Sequence, residues 1–312
     1  METTLDEGQW KILLKRIRSG NCTPFLGAAV NEGIFPLGKD IAKKWADKYS
    51  YPLDDCFDLM KVAQFLAVKD QMAPKEEIID FLNERLQERL KQDEDLKEFF
   101  KDPYEPLNLM ADLPFPIYIT TNYDDLLVRA LRSRGRDPQR ELCQWNKYIK
   151  EELDKKGKKS VFGAESYFVP SKEKPLVFHL HGNDEVPESL VIAEDDYFEF
   201  LVNLSKFPNM IPRDIEGAMA NTSLLFIGYA LADWDFRVLW KLLRTVSGKP
   251  GRISVAVQLD PSDPEQDPPK KKPQEVKNYL TGYFKNMEVH IFWGKAKEFT
   301  AELQNRLGGV SP

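Results

Sequence analysis

The sequence predicts a Rossmann-like α/β fold, a doubly wound parallel sheet carrying a helical insertion subdomain. Short β-rich runs alternate along the chain with longer helical patterns. Most of the runs are apolar on both faces, as strands covered by helices on either side must be. The helical patterns stand between them, which is the arrangement that parallel pairing requires.

Residues 1–20 set acidic positions first and space their apolar positions as a helix does. That order is not the basic, apolar, small-residue order of a secretion signal, so a cytoplasmic protein is expected. The first strand falls at 24–26. The stretch 39–102 reads as helical throughout and as an insertion, leaving 1–38 and 103–312 as the Rossmann domain. Within it Pro74 stands where a first-turn proline would, and Ile78, Leu82, Leu86 and Leu90 recur every fourth residue beside many charges, which is one amphipathic helix. Trp45, Tyr49, Tyr51 and Phe57 near its start are either the insertion's own core or a contact surface. A second strand falls at 117–120. Residues 132–174, rich in Lys, Arg, Asp and Glu and containing LDKKGKKS, read as a solvated loop. Strands follow at 176–180, 224–227 and 253–259. The segment 261–273 holds five prolines and reads as an exposed, poorly ordered connection before the last strand at 289–293.

Composition excludes several classes. The 312 residues are 42% hydrophobic and 30% charged, ordinary globular values. No stretch approaches the roughly 20 apolar residues that a spanning helix needs, so no membrane partner is expected. With 44 basic and 50 acidic residues the net charge is -6, which lacks the basic excess that direct nucleic-acid binding usually leaves. Cys22, Cys56 and Cys143 form no C-x-x-C pair, so no metal site is expected and the three read as reduced, buried residues.

In a doubly wound sheet, ligands bind beyond the carboxyl ends of the strands. Four such ends are informative. Gly27, Ala28, Ala29, Val30 and Asn31 form a small-residue turn of the kind that lets backbone N–H groups approach a pyrophosphate, and also of the kind that merely joins a strand to a helix. Thr121, Asn122, Tyr123 and Asp124 cluster short polar side chains after the second strand; Thr121 or Asp124 can cap the next helix, while Asn122 is placed to hold a water or a ribose hydroxyl. His179 and His181 stand two residues apart at the end of the third run, with His181, the last, in the ligand-facing place and His179 packed one layer below. His290 reads as structural. Gly228 and Tyr229 break a fourth run, and Asp233 opens the next helix, as a cap or as a ligand group. A nucleotide cleft accounts for all four ends together.

The ordered set FLGAAVN with EGIFP, ITTNYDDLL, FHLHG and FIGYALADWDF resembles the sirtuin superfamily over about residues 22–257, and more narrowly the sirtuin-like NAD hydrolase domains of bacterial anti-phage defence systems. The resemblance implies that Gly27, Ala28, Ala29 and Asn31 meet the pyrophosphate of NAD, with Thr121 beside them. It implies that Asn122 orients the nicotinamide ribose or the attacking water, that His181 is the catalytic histidine, and that Asp124 is the acid nearby. Gly228 and Tyr229 would run along the adenosine half, with Asp233 as the acid of the helix beyond them, and 193–197 resembles the acid-then-tyrosine helix start of the family.

Two departures stand out. The usual Gly-Ala-Gly turn is Gly-Ala-Ala, with Asn31 where a small hydroxyl residue is usual. The paired zinc-binding cysteines of deacylating sirtuins are absent, which argues against protein deacylation. The resemblance implies an NAD glycohydrolase that releases nicotinamide and ADP-ribose, an effector of abortive infection by NAD depletion. His181 would serve as general base, with an ordinary imidazole pKa of about 6.5. The alternative is a non-catalytic module that binds NAD or ADP-ribose and signals to a partner. An effector of this kind must be restrained, so a homo-oligomer, a regulatory partner, or both are expected. The partner would be a translocating ATPase, an Argonaute-like protein, a nucleotide-sensing module or a phage trigger.

Overall fold

The computed structural model describes residues 5–90, 93–163, 167–207, 210–231, 236–238, 240–241, 253–263 and 271–308. Among them are seven strands: β1 (Cys22–Leu26), β2 (Ile117–Thr120), β3 (Gln139–Leu142), β4 (Leu176–His179), β5 (Ser223–Ile227), β6 (Ser254–Gln258) and β7 (Val289–Trp293). They form one sheet in the order β3-β4-β2-β1-β5-β6-β7, and every pairing is parallel. The expected α/β fold is therefore present.

Alternation along the strands builds two cores. Leu26, Tyr118, Val177, Leu225 and Ile227 face one side, and Phe25, Ile119, Phe178, Leu224 and Phe226 face the other. The first face is covered by α1 (Glu7–Arg18), α2 (Gly38–Tyr49), α3 (Leu59–Ala67), α4 (Ala73–Arg89), α5 (Asp93–Lys101), α6 (Pro106–Asp112), α7 (Leu126–Ser133) and the last helix. The second is covered by α8 (Lys147–Lys155), α9 (Glu194–Lys206), α10 (Arg213–Asn221) and α11 (Pro273–Lys285). The last helix, α12 (Ala296–Leu307), returns to the first face, where Phe299 stacks on Trp10 of α1 with ring centroids 5.6 Å apart. Cys22 and Cys143 are buried and Cys56 is half-buried, all three free. His290 pairs with Gln9 of α1 at 2.6 Å.

Helix α4 begins with Pro74 in its first turn and buries Ile78 and Leu82, with Leu86 and Leu90 at the core's margin. Trp45 is buried in the cluster that holds Leu26 and Tyr118, and Tyr51 packs against that cluster, whereas Tyr49 and Phe57 are exposed. Helices 38–89 thus share the sheet's own core.

The region 132–174 differs from the solvated loop expected of it, since it contains β3 and α8. Strand β3 reads Gln-Arg-Glu-Leu, without apolar alternation, because it is an edge strand with one neighbour. Its Glu141 is buried and accepts from Ser160 Oγ and the Val161 amide, both at 2.8 Å. Asn146 caps α8 by accepting from the amides of Tyr148 and Ile149. Of the proline-rich connection, 264–270 lie outside the described residues.

Candidate active site

Register brings five strand ends into one row: Leu142, His179, Thr120, Leu26 and Ile227 stand side by side across β3, β4, β2, β1 and β5. The next residue on four of them continues the ladder. The amides of Cys143, Leu180, Thr121 and Gly27 donate to the carbonyls of His179, Thr120, Leu26 and Ile227. Beyond that level β1 and β5 part, one chain turning to the first face with Val30 and Ile34, the other to the second with Leu231 and Phe236. Such a parting of neighbouring strands opens the crevice in which α/β sheets hold ligands.

Two glycines form its floor. A Cβ on Gly27 would lie 2.6 Å from the Gly228 carbonyl oxygen, and a Cβ on Gly228 would lie 2.6 Å from that of Gly27. Gly228 also has φ +88°, a conformation that side chains resist. The following 3-10 turn, Ala28–Asn31, is closed by bonds from the Val30 amide to the Gly27 carbonyl and from the Ala29 amide to the Gly228 carbonyl. Three amides of this turn, those of Gly27, Ala29 and Val30, are thus engaged inside the protein.

Side chains join the turns across the crevice. Asn31 Nδ2 donates to Asp124 Oδ2 at 2.9 Å. The other oxygen of Asp124 accepts from the Leu126 amide at 3.0 Å, at the first residue of α7. Burial, with the Asp184 and Asp125 charges adding, pushes the Asp124 carboxyl up to about 7. Asn122 donates from Nδ2 to the Gly27 carbonyl at 3.2 Å. Tyr229 donates to the Leu26 carbonyl at 3.2 Å, which leaves Thr121 as the donor in the 2.8 Å bond between their hydroxyls. The buried Asn31 Oδ1 has no hydrogen-bond partner in the protein.

His181 lies just past β4. Its ring packs edge-on against Tyr197 (5.7 Å) and Phe200 (5.2 Å) of α9, and Nε2 is buried with no partner. Burial pulls the imidazole down to about 3, so it is neutral at pH 7 and much less basic than an ordinary histidine. This corrects the basicity expected from the sequence. Gly182 is required next: its φ is +86°, and a Cβ would meet the Ser189 carbonyl oxygen at 2.2 Å. Tyr123 braces this loop to that of Asn122. Its hydroxyl donates to the Val191 carbonyl at 2.6 Å, the Val191 amide donates to the His181 carbonyl, and its own carbonyl accepts from Asn183 Nδ2 and the Asp184 amide.

The crevice therefore gathers Gly27, Asn31, Thr121, Asn122, Asp124, Gly228 and Tyr229 through direct bonds. Ala28 and Ala29 lie in the same turn, and His181 lies on an adjoining loop held by backbone. Asp233 lies outside the described residues. Sequence reasoning did not assign Tyr123 and Asn183 as braces, because bonds between loops leave no spacing signal. His179, expected one layer below, is buried there, with Nδ1 3.3 Å from the Asn122 carbonyl. The helix start at 193–197 was legible, and it supplies Tyr197. Among the described residues no group of three or more His, Cys, Asp or Glu is placed to hold a metal ion, and no helix is long and apolar enough to cross a membrane.

With strands parting over a glycine floor and polar turns converging above it, the chain is an α/β protein of the Rossmann-like class. Residues 116–284, more than half of the chain, match the model of the SIR2-like domain, and the chain belongs to that family. It is 26% identical over 245 residues to the NAD(+) hydrolase ThsA of Cytobacillus dafuensis, covering 78% of this chain and 42% of that protein. It is 23% identical over 227 residues to the NAD(+) hydrolase ThsA of Acinetobacter baumannii (strain 532279), covering 71% and 39%. It is 27% identical over 179 residues to Defense-associated sirtuin 2 of Bacillus subtilis, covering 55% and 15%. The chain thus spans about two fifths or less of the curated relatives it matches.

Proposed function

We propose that this chain is an NAD glycohydrolase, cleaving the bond between nicotinamide and ribose to release nicotinamide and ADP-ribose. The observation that carries the reading is the convergence of Asn31, Asn122 and Asp124 above the Gly27–Gly228 floor, with His181 on the braced neighbouring loop. The names of the relatives support the same chemistry.

Nicotinamide leaves as a neutral molecule from a cationic pyridinium, so the site has to stabilise an oxocarbenium-like ribose, place one water and exclude other acceptors. Asn122 keeps its Oδ1 and its second Nδ2 proton for the ribose hydroxyls or the water. The unpartnered Oδ1 of Asn31 suits a hydroxyl donor from NAD. Neutral His181 accepts a hydrogen bond, but with a pKa near 3 it holds a proton poorly at pH 7. Asp124, near 7, is the better matched acceptor for the proton that water loses on adding to C1′.

In the cell this activity serves as the effector of an anti-phage system, acting in the cytoplasm by depleting NAD. A second copy or a partner protein restrains it. A second reading, a module that binds NAD or ADP-ribose without cutting it, is favoured by one observation: the amides of Gly27, Ala29 and Val30 are already engaged.

Nicotinamide release from NAD by the purified chain, followed by chromatography over a range of protein concentrations, tests the hydrolase. Asn122→Ala and His181→Ala are expected to abolish release while melting as the parent does. Retained turnover in either folded variant removes the assignment. NAD binding without release at every concentration favours the binding module.

A further inference from the structure

Resting on the hydrolase reading, we propose that His179 is a positioning residue for Asn122, holding the Asn122 carbonyl so that its side chain meets the substrate in one orientation. His179 is 1% exposed and ends β4, whose other residues, Leu176, Val177 and Phe178, are apolar and buried. A residue that only packed at this position would be apolar as well. The imidazole Nε2 is buried with no partner, and leaving a polar atom so costs its desolvation without return.

What the ring supplies is Nδ1, 3.3 Å from the Asn122 carbonyl oxygen. A carbonyl only accepts, so Nδ1 carries the proton and Nε2 the lone pair. Burial holds the ring down at about 4, which keeps it neutral, with this donor in place, throughout the neutral range. With His179 included, Asn122 is held at three points. Its amide donates to Thr120 Oγ1 at 3.0 Å, its Nδ2 donates to the Gly27 carbonyl at 3.2 Å, and its carbonyl accepts from His179. The groups left over are those that face a ligand. The two histidines of the strand end therefore do different work: His181 faces the second core beside Phe200, and His179 supports Asn122 from the opposite side of the sheet.

Three substitutions separate positioning from packing. His179→Asn sets an amide nitrogen near the place of Nδ1 and discards Nε2; His179→Gln sets it near Nε2; His179→Leu offers no donor. In the full chain, the Leu and Gln variants are expected to lose about tenfold in kcat with KM for NAD within about threefold, and Asn to restore kcat to within about threefold of the parent. In the unliganded protein, the side-chain amide resonance of Asn122, assigned with Asn122→Ala, is expected to shift and broaden in the Leu and Gln variants and to keep its position in the Asn variant. Full kcat in the Leu variant, an Asn variant as impaired as Leu at undiminished melting temperature, or an unmoved Asn122 resonance in the Leu variant overturns the proposal. If the unmutated chain releases no nicotinamide, the hydrolase reading is what fails, and the Asn122 resonance alone decides the clamp.

Discussion

Asn31 donates to Asp124 across 2.9 Å, so a bond between two side chains ties the turn after β1 to the turn after β2. Asn31 is 4% exposed and leaves its Oδ1 without a partner. Asn31→Ala removes a bond and an unmet acceptor together, and the two effects on stability oppose each other. The expected change in unfolding free energy is below about 1 kcal/mol. NAD affinity, measured by calorimetry, is expected to fall about tenfold, because the acceptor offered to the ligand has gone. Unchanged affinity would show that Asn31 serves the fold alone.

The raised carboxyl of Asp124 makes stability depend on pH in a defined sense. Burial lifts it to about 7, above the usual carboxylate range, so between about pH 4 and 7 the native state binds more protons than the unfolded chain. Stability therefore falls as pH rises through that window. Asp184, lifted to about 6 first by its own burial and then by the Asp125 charge, acts in the same direction. Asp124→Asn is expected to flatten the decline between pH 5 and 8 by about 2 kcal/mol, a figure reduced for the group's partial contact with solvent. Denaturant melts of both proteins at the two pH values measure it, and equal slopes would refute the assignment. If Asp124 takes the proton from water, kcat also rises along a limb near pH 7 that the variant lacks.

Three glycines are expected to respond to alanine differently. Gly182→Ala and Gly228→Ala place a Cβ at 2.2 and 2.6 Å from backbone oxygens, each at positive φ. Either is expected to destabilise by more than about 3 kcal/mol or to prevent soluble expression. Gly217, inside α10, has nothing within 4 Å of an added Cβ, so Gly217→Ala is expected to stabilise by about 0.5–1 kcal/mol. Thermal melts rank the three, and a tolerated Gly182→Ala would mean that the His181 loop is not pinned against Ser189.

Much of this arrangement was legible in residue order. The strands at 117–120 and 289–293 have the extents read from their apolar runs, because strands covered on both faces announce themselves by composition. Residues following strand ends, such as Asn122 and Gly228, were legible for the same reason. Strand β3 was hidden, since an edge strand tolerates charge and its buried Glu141 is satisfied by Ser160 and Val161, about twenty residues away. The pKa values of His181 and Asp124 were equally out of reach. They are set by Tyr197, Phe200 and other groups that only folding brings near.

The link between α4 and α9 carries the last prediction. Lys75 Nζ lies 2.9 Å from Asp196 Oδ1 with both side chains largely buried, and 5.6 Å from the ring centroid of Trp145. The other oxygen of Asp196 accepts from the amides of Ile192 and Ala193, opening the helix whose Tyr197 and Phe200 enclose His181. Asp196→Ala strands the ammonium of Lys75 in the interior and is expected to cost about 3–5 kcal/mol. Lys75→Met leaves the carboxylate with its two backbone donors and is expected to cost about 1–2 kcal/mol. In the double variant the stranded charge is gone, so the combined loss should fall short of the sum by more than about 1 kcal/mol. Additivity in denaturant melts would show that the pair is not coupled. Since α9 carries one wall of the His181 pocket, Asp196→Ala is also expected to depress nicotinamide release more than Lys75→Met does, at a temperature where both remain folded.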